Sequence, residues 1–427
     1  MTQIEMICKR AKEASFLMSR VTTANKNNAL HVIADKIMEN QEAILSANEI
    51  DLKHARESGI SGALLDRLTL NPERIAGMAQ GLVEIAALPD PVGKTERTWV
   101  RPNGLEIGEK RVPIGVVGVI YEARPNVTAD VAGLTLKSGN CVVLKGGKEA
   151  IHSNTAIAKL IESALEESGL PTGAVQLITD TDREATLEML RMAQYIDVLI
   201  PRGGEGLKKV ILANSAIPVI FATAGNCHVY VDESADLKMA RDIILNAKTQ
   251  RPGVCNAAES LLVHKAVAAQ FVPEITSELA AAGVEIRACD TSMQLCTKGD
   301  CAEENCAKRN MILATEQDWG AEYLDMIVSL KVIDSFEAAV AHINQYGSRH
   351  SEVIVTENEQ HGEEFLNFVD AAAVYVNASS RFTDGFEFGF GAEIGISNQK
   401  LHARGPIGLE QLTTLKYVIH GTGQIRS

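Results

Sequence analysis

Hydrophobic positions along this chain follow two different periods. In the first hundred or so residues they recur every three or four positions. Leu30, Ile33, Ala34, Ile37 and Met38 share one helical face. The pattern then shortens to nearly continuous apolar runs: VVGVI from Val116, CVVLK from Cys141, VQLIT from Val175, VLIP from Val198 and PVIF from Pro218. Such runs predict strands buried on both faces of a parallel sheet. An amphipathic stripe of Ile157, Leu160, Ile161 and Leu165 predicts a helix between two of them. Past Asp232 a second block follows, with ESLLVH, VEIRAC, MIVSLKVI, EVIVTE and AVYVN as strands and SFEAAVAHINQYG as an intervening helix. The fold class is therefore α/β, with a doubly wound domain followed by a second α/β block.

Two segments stand outside this alternation. TWVRPNGLEIGEKRV, 98–112, has a Pro-Asn-Gly turn between extended runs and reads as a projecting hairpin. TTLKYVIH from Thr413 reads as a terminal strand. An isolated hairpin is marginal alone, so these segments are expected to cross between subunits of a homodimer or tetramer.

Composition narrows the function classes. Hydrophobic residues make up 46% and charged residues 22%, an ordinary globular balance. A formal net charge of −14 argues against a nucleic-acid partner, which would need a basic surface. There is no signal peptide and no run long enough to span a bilayer, so neither export nor a membrane partner is expected. With eight scattered cysteines, this points to a reducing, cytoplasmic compartment. Cys289, Cys296, Cys301 and Cys306 cluster without CxxC spacing and read as thiols of a surface insertion; no metal is expected.

Several positions carry candidate chemistry. In QRPGVCNAAESLLV, Cys255 follows a Pro-Gly turn and precedes small residues that leave the thiol approachable. A small buried hydrophobe is the competing reading of that cysteine. RGGEGLKKV, from Arg202, is a glycine-rich turn ahead of a helix and can present N–H groups to a phosphate, or be a plain connection. KGGKEA, from Lys145, offers two lysines that could meet an anion or face solvent. EARPN, from Glu122, ends a strand where ligands of open α/β sheets gather. Arg124 offers a guanidinium fork there and Asn126 an amide. Asn377, Ser379, Ser380 and Arg381 end another strand and could bind a polar substrate or cap a turn.

Taken in order, these segments resemble the aldehyde dehydrogenase superfamily over nearly the whole chain. VPIGVVGVI is similar to its strand entering the active site, and KSGNCVVLKGGK to its cofactor segment. PGVCNAAESLLV resembles its nucleophile motif, and ARGPIGLEQLTTLKYV its C-terminal signature. VIYEARPNVTADVAGL, LIPRGGEGL, TQRPGVCNA and SSRFTDGFEFGFGAEIGIS resemble one branch of it, and this resemblance implies reduction of L-glutamyl 5-phosphate to L-glutamate 5-semialdehyde with NADPH. That is the second step of proline biosynthesis, with a glutamate 5-kinase upstream as a possible partner. A CoA-acylating aldehyde dehydrogenase is the alternative within the superfamily.

The resemblance implies an aldehyde dehydrogenase-like fold, two Rossmann-like domains plus a small β oligomerisation element. Residues 1–97 and 113–236, with 378–412, would form the NADP-binding domain. Residues 237–377 would form the catalytic domain, and 98–112 with 413–427 the oligomerisation element. It makes Cys255 the nucleophile and Asn126 an oxyanion donor. Lys145, Gly147, Lys148, Arg202, Gly203, Gly204 and Glu322 become cofactor residues. Arg124, Arg251, Ser379 and Arg381 become substrate residues. Lys148 stands where NAD-preferring relatives often carry a glutamate, and Gly146 and Gly147 keep the backbone open for the 2′-phosphate. Where hydrolytic relatives have a glutamate that activates water, this chain has FATAGNC, from Phe221, without a carboxylate. That agrees with a reductase, whose thioester water would destroy.

Overall fold

The computed structural model describes residues 1–222, 224–297 and 310–426. The chain divides into two compact units. Unit 1 comprises Met1–Ala222, Gly389–Gly395 and Pro406–Ser427; unit 2 comprises Thr223–Phe388 and Ile396–Gly405.

Unit 1 begins with helices α1 (Gln3–Met18), α2 (Thr23–Glu39), α3 (Gln41–Glu57), α4 (Gly62–Leu68) and α5 (Pro72–Ala87). Thr2, Thr22 and Asn71 start α1, α2 and α5 by accepting the N–H three residues on, and Pro72 adds a pre-set first turn to α5. In α2, Leu30, Ile33, Ala34 and Ile37 are buried, whereas Met38 is 41% exposed. At 100° per residue Met38 sits roughly 80° round the helix from Leu30, past the edge of the stripe.

Four parallel strands follow: β3 (Val116–Tyr121), β4 (Cys141–Gly146), β5 (Val175–Leu177) and β6 (Val198–Arg202), in the order β5-β4-β3-β6. The crossovers carry α6 (Asn126–Lys137), α7 (Ile151–Glu167), α8 (Arg183–Met189) and, after β6, α9 (Glu205–Asn214). The expected strand at PVIF is reduced to a single bridge between Val219 and Leu199. Pro218 has no N–H to give a ladder.

The hairpin forms as β1 (Thr95–Val100) and β2 (Glu106–Pro113). The terminal strand β16 (Thr413–His420) pairs antiparallel with β2 of its own chain, giving the order β1-β2-β16. Strand β2 is thus paired on both sides within the chain, which leaves β1 and β16 as the edges of this sheet.

Unit 2 is built on a parallel sheet of order β10-β9-β11-β8-β7-β12-β13. Its strands are β7 (Cys227–Val231), β8 (Ala258–His264), β9 (Glu285–Ala288), β10 (Met311–Leu313), β11 (Ile327–Ile333), β12 (Ser351–Val355) and β13 (Ala373–Val376). Alternate residues reach opposite faces. Val229, Val231, Leu261, Val263, Val328, Leu330, Val353 and Val355 pack with α10 (Leu237–Thr249), α11 (Lys265–Ala281) and α12 (Asp290–Thr297). Tyr230, Leu262 and Ile354 pack with Phe336 and Phe365, from α13 (Phe336–Tyr346) and α14 (Glu359–Phe368). Both faces are covered, which is why the strands read as continuous apolar runs. Each such side chain contributes roughly 1.5–3 kcal/mol on burial.

The boundary differs from the expected one at 236. Strand β7 pairs in parallel with β8 and β12, so its hydrogen bonds bind it to unit 2. Of 378–412, residues 378–388 and 396–405, with the two-residue strand β14 (Ile396–Ser397), also go with unit 2; β15 (Gly405–Pro406) follows. Among the described residues no helix is long and apolar enough to cross a membrane.

Candidate functional site

In unit 1 the candidate residues gather at the carboxyl ends of neighbouring strands. Register pairs Tyr121 with both Gly146 and Arg202, and Ile120 with Lys145. Beyond β3, Ala123 takes a positive φ of 36°, a turn that side-chained residues rarely make. Its N–H donates to Glu149 Oε1 at 2.7 Å. The chain then enters α6 at Asn126, whose Nδ2 donates to Asp130 Oδ2 at 2.8 Å. The amide has two hydrogens and this bond uses one. Burial pushes the Asp130 carboxyl up to about 6, with the Asn126 bond and the Arg202 charge pulling it back. Arg124 is half-buried on the same turn.

Lys145 is the penultimate residue of β4, and its side chain is buried. Its Nζ makes a long hydrogen bond of 3.4 Å to Gly146 O. Burial draws this ammonium below its ordinary value, opposed by Asp180, Glu149 and Asp182. A buried ammonium so weakly held at a sheet end fits the hydroxyls of a cofactor ribose. Gly147 is half-buried and Lys148 exposed. A Cβ on Gly146 would lie 2.2 Å from Asn154 Nδ2, so only glycine lets that backbone sit where it does.

The Gly203–Gly204 turn does not look like the phosphate cradle expected. Gly204 N–H donates to Glu122 Oε2 at 3.2 Å, and a Cβ on Gly203 would lie 2.7 Å from the Glu122 carboxyl carbon. A carboxylate already stands at the start of α9, where it would repel a phosphate. Arg202 is half-buried, and a Cβ on Gly395 would lie 2.3 Å from its Nη1.

Unit 2 assembles the cysteine site. Cys255 is half-buried on the turn between α10 and β8. Gly225 lies against its carbonyl, and Cys227 Sγ donates to the same oxygen at 3.2 Å. Asn256 Nδ2 donates to Arg381 O at 3.2 Å and Thr383 O at 2.9 Å, while Ser380 Oγ donates to Asn256 O at 2.6 Å. The segment after Asn377 is thereby fastened to the cysteine turn. Arg381 Nε donates to Gln250 Oε1 at 2.8 Å. Burial and then the charge of Arg251 lower the Arg381 guanidinium, while Asp384, Cys255 and Cys227 pull the other way. Arg251 is exposed. Two guanidinium groups within each other's field, beside a thiol, favour an anion.

Ser379 and Asn377 take the structural reading. The buried Ser379 hydroxyl accepts Arg381 N–H at 3.3 Å and caps a short turn. Asn377, at φ 56°, bonds Thr356 through both amide ends at 2.9 Å. Glu322 belongs to unit 2, and its Oε1 accepts Gly225 N–H at 2.6 Å. Cys289 bonds Ser292 Oγ at 3.2 Å and Cys296 is buried. Cys301 and Cys306 lie outside the described residues.

Sequence reasoning passed over Gly225, Asp130 and the buried pair Lys248–Glu259. The last had a visible signal, a glutamate inside the apolar run of β8.

Comparison with known proteins follows the same lines. The aldehyde dehydrogenase family model matches residues 1–296. The gamma-glutamyl phosphate reductase of Clostridium tetani is 57% identical over 420 residues, covering 98% of this chain and 97% of its own. The crystal structure of the gamma-glutamyl phosphate reductase from Thermotoga maritima superposes with a TM-score of 0.95 at 47% identity, covering 100% of both chains. An acetylating aldehyde dehydrogenase from Geobacillus thermoglucosidasius shares the fold at a TM-score of 0.67 and 19% identity, over 100% of this chain and 98% of its own.

Proposed function

This chain belongs to the aldehyde dehydrogenase family and is an oxidoreductase, and we propose that it reduces L-glutamyl 5-phosphate to L-glutamate 5-semialdehyde with NADPH, releasing phosphate. The observation that carries this reading is identity above half, over nearly the full length, to gamma-glutamyl phosphate reductases. Cys255 beside Arg251 and Arg381 supplies the chemistry for it.

The Cys255 thiolate attacks the acyl phosphate carbonyl. The carbon–oxygen bond to phosphate breaks, phosphate leaves with the electron pair, and a thioester remains on the sulfur. Arg251 and Arg381 hold the substrate's anionic groups and so fix its carbonyl over the sulfur. When bound, NADPH supplies the hydride that takes the thioester to the aldehyde level. The oxyanion formed at each stage needs donors, for which the second hydrogen of the Asn126 amide is the candidate. Cys255 leaves as a thiolate when the carbon–sulfur bond breaks.

For the cofactor, Lys145 and the open backbone at Gly146 and Gly147 would hold the ribose end, and Glu322 the nicotinamide ribose. Lys148 supports NADP over NAD. The neighbouring carboxylate of Glu149 is tied to Ala123 N–H, so the exposed charge of this loop is the ammonium. An acyl phosphate hydrolyses readily, so a glutamate 5-kinase is the partner this reading favours. Val100, Leu415, Tyr417 and Ile419 are exposed on the three-stranded sheet and suit a second copy of the chain.

One assay separates this reading from a CoA-acylating enzyme. NADP reduction with the semialdehyde should depend on inorganic phosphate; dependence on CoA instead would reverse the assignment.

A further inference from the structure

Lys248 and Glu259 are both fully buried, with Nζ 2.6 Å from Oε2. They bracket the reactive turn: Lys248 lies in the last turn of α10, Cys255 follows, and Glu259 is the second residue of β8. Burial lowers the Lys248 ammonium and raises the Glu259 carboxyl, each opposed by its partner. A buried pair of this kind adds little net stability, since apolar residues of similar volume commonly replace such pairs without loss. What the pair holds is the more informative question.

Glu259 Oε1 accepts Leu324 N–H at 3.1 Å. Leu324 has a φ of 54°, a conformation that leucine takes when its surroundings impose it. Two residues earlier, Glu322 accepts Gly225 N–H, and Gly225 lies against the carbonyl of Cys255. Hydrogen bonds and packing thus run from the buried pair through Leu324 and Glu322 to the backbone of the cysteine.

We propose that Glu259, held in place by Lys248, is a positioning residue whose acceptor oxygen fixes the 322–324 loop and thereby sets Glu322 for the cofactor. This rests on the cofactor role given to Glu322 above. Glu259 acts through the loop backbone; the ion pair makes its burial tolerable, and the acceptor oxygen does the positioning.

The test compares two double variants in which no unpaired charge is buried. Lys248→Met/Glu259→Gln keeps a carbonyl acceptor for Leu324; Lys248→Met/Glu259→Leu removes it. The KM for NADPH should rise about tenfold in the Leu variant, as for loss of one hydrogen bond, and stay within about twofold of wild type in the Gln variant. A purely structural role would instead lower kcat through the folded fraction and leave KM alone. Glu322→Gln serves as the reference. If it raises KM and the Leu variant does not, the positioning role is overturned and the cofactor reading stands. If neither raises KM, both fall. Equal KM increases in the two double variants would overturn the acceptor role. Should the Leu variant fail to fold, Lys248→Met/Glu259→Met, which also removes the acceptor, carries the test: a KM raised toward that of Glu322→Gln supports positioning, and a KM held at the wild-type value overturns it.

Discussion

A Cβ placed on Gly225 would lie 1.6 Å from the carbonyl oxygen of Cys255. No side chain fits there without moving the turn that carries the thiol. Gly225→Ala should therefore displace Cys255, with a kcat loss of about a hundredfold for a misplaced reacting group and a destabilisation of about 1–3 kcal/mol. Steady-state kinetics beside thermal unfolding check this, and wild-type kcat in a stable variant would contradict the tight packing.

Cys255→Ser should fold normally and lose nearly all turnover, because a neutral alcohol is a far poorer nucleophile than a thiolate. Wild-type enzyme should also lose activity on alkylation, with the label on Cys255. A well-folded, active serine variant would eliminate the thioester route.

Lys148→Glu should lower the ratio of kcat/KM for NADPH over NADH by about tenfold or more, mainly through KM, since a carboxylate repels the 2′-phosphate. The substitution is on an exposed side chain and should leave Tm unchanged. An unchanged cofactor ratio would show that Lys148 does not read the phosphate.

Asp130 gives a pH-dependent signature. Its carboxyl is raised from 3.8 to about 6 in the folded chain, first through burial. The folded state therefore binds this proton more tightly than the unfolded one. The stability it contributes is fully present below the unfolded value and is lost as pH rises through about 6. Asp130→Asn mimics the protonated form, so its Tm should exceed that of wild type above the folded value and converge with it below the unfolded one. A Tm difference that does not change with pH would exclude this assignment.

The exposed stripe Leu415, Tyr417 and Ile419 on β16 should lie in a subunit contact. Light scattering should give a dimer or tetramer at micromolar concentration, and Tyr417→Glu should dissociate it. An active wild-type monomer would remove the case for this surface.

Much of this architecture was legible in the chain because sheets buried on both faces leave local traces. The runs at Val116, Cys141 and Val198 became β3, β4 and β6, and those of the second block became β8, β9, β11, β12 and β13. The turn around Cys255 was legible for the same reason: Pro252, Gly253 and the small residues after the thiol act within a few positions. The place of strand β7 was not legible, because its sheet depends on hydrogen-bonding neighbours far along the chain.

The sequence by itself determined most of the elements, the turn that carries Cys255 and the lysine-bearing end of β4, since each depends on side chains close together in the chain. Only the tertiary structure decided that Glu122 occupies the start of α9, that β16 completes the hairpin, and that Gly225 lies against Cys255. It also decided that Glu259 holds Leu324, 65 positions away. Close contacts and buried hydrogen bonds between distant segments depend on how the strands are ordered, and no local period of hydrophobic residues encodes that order.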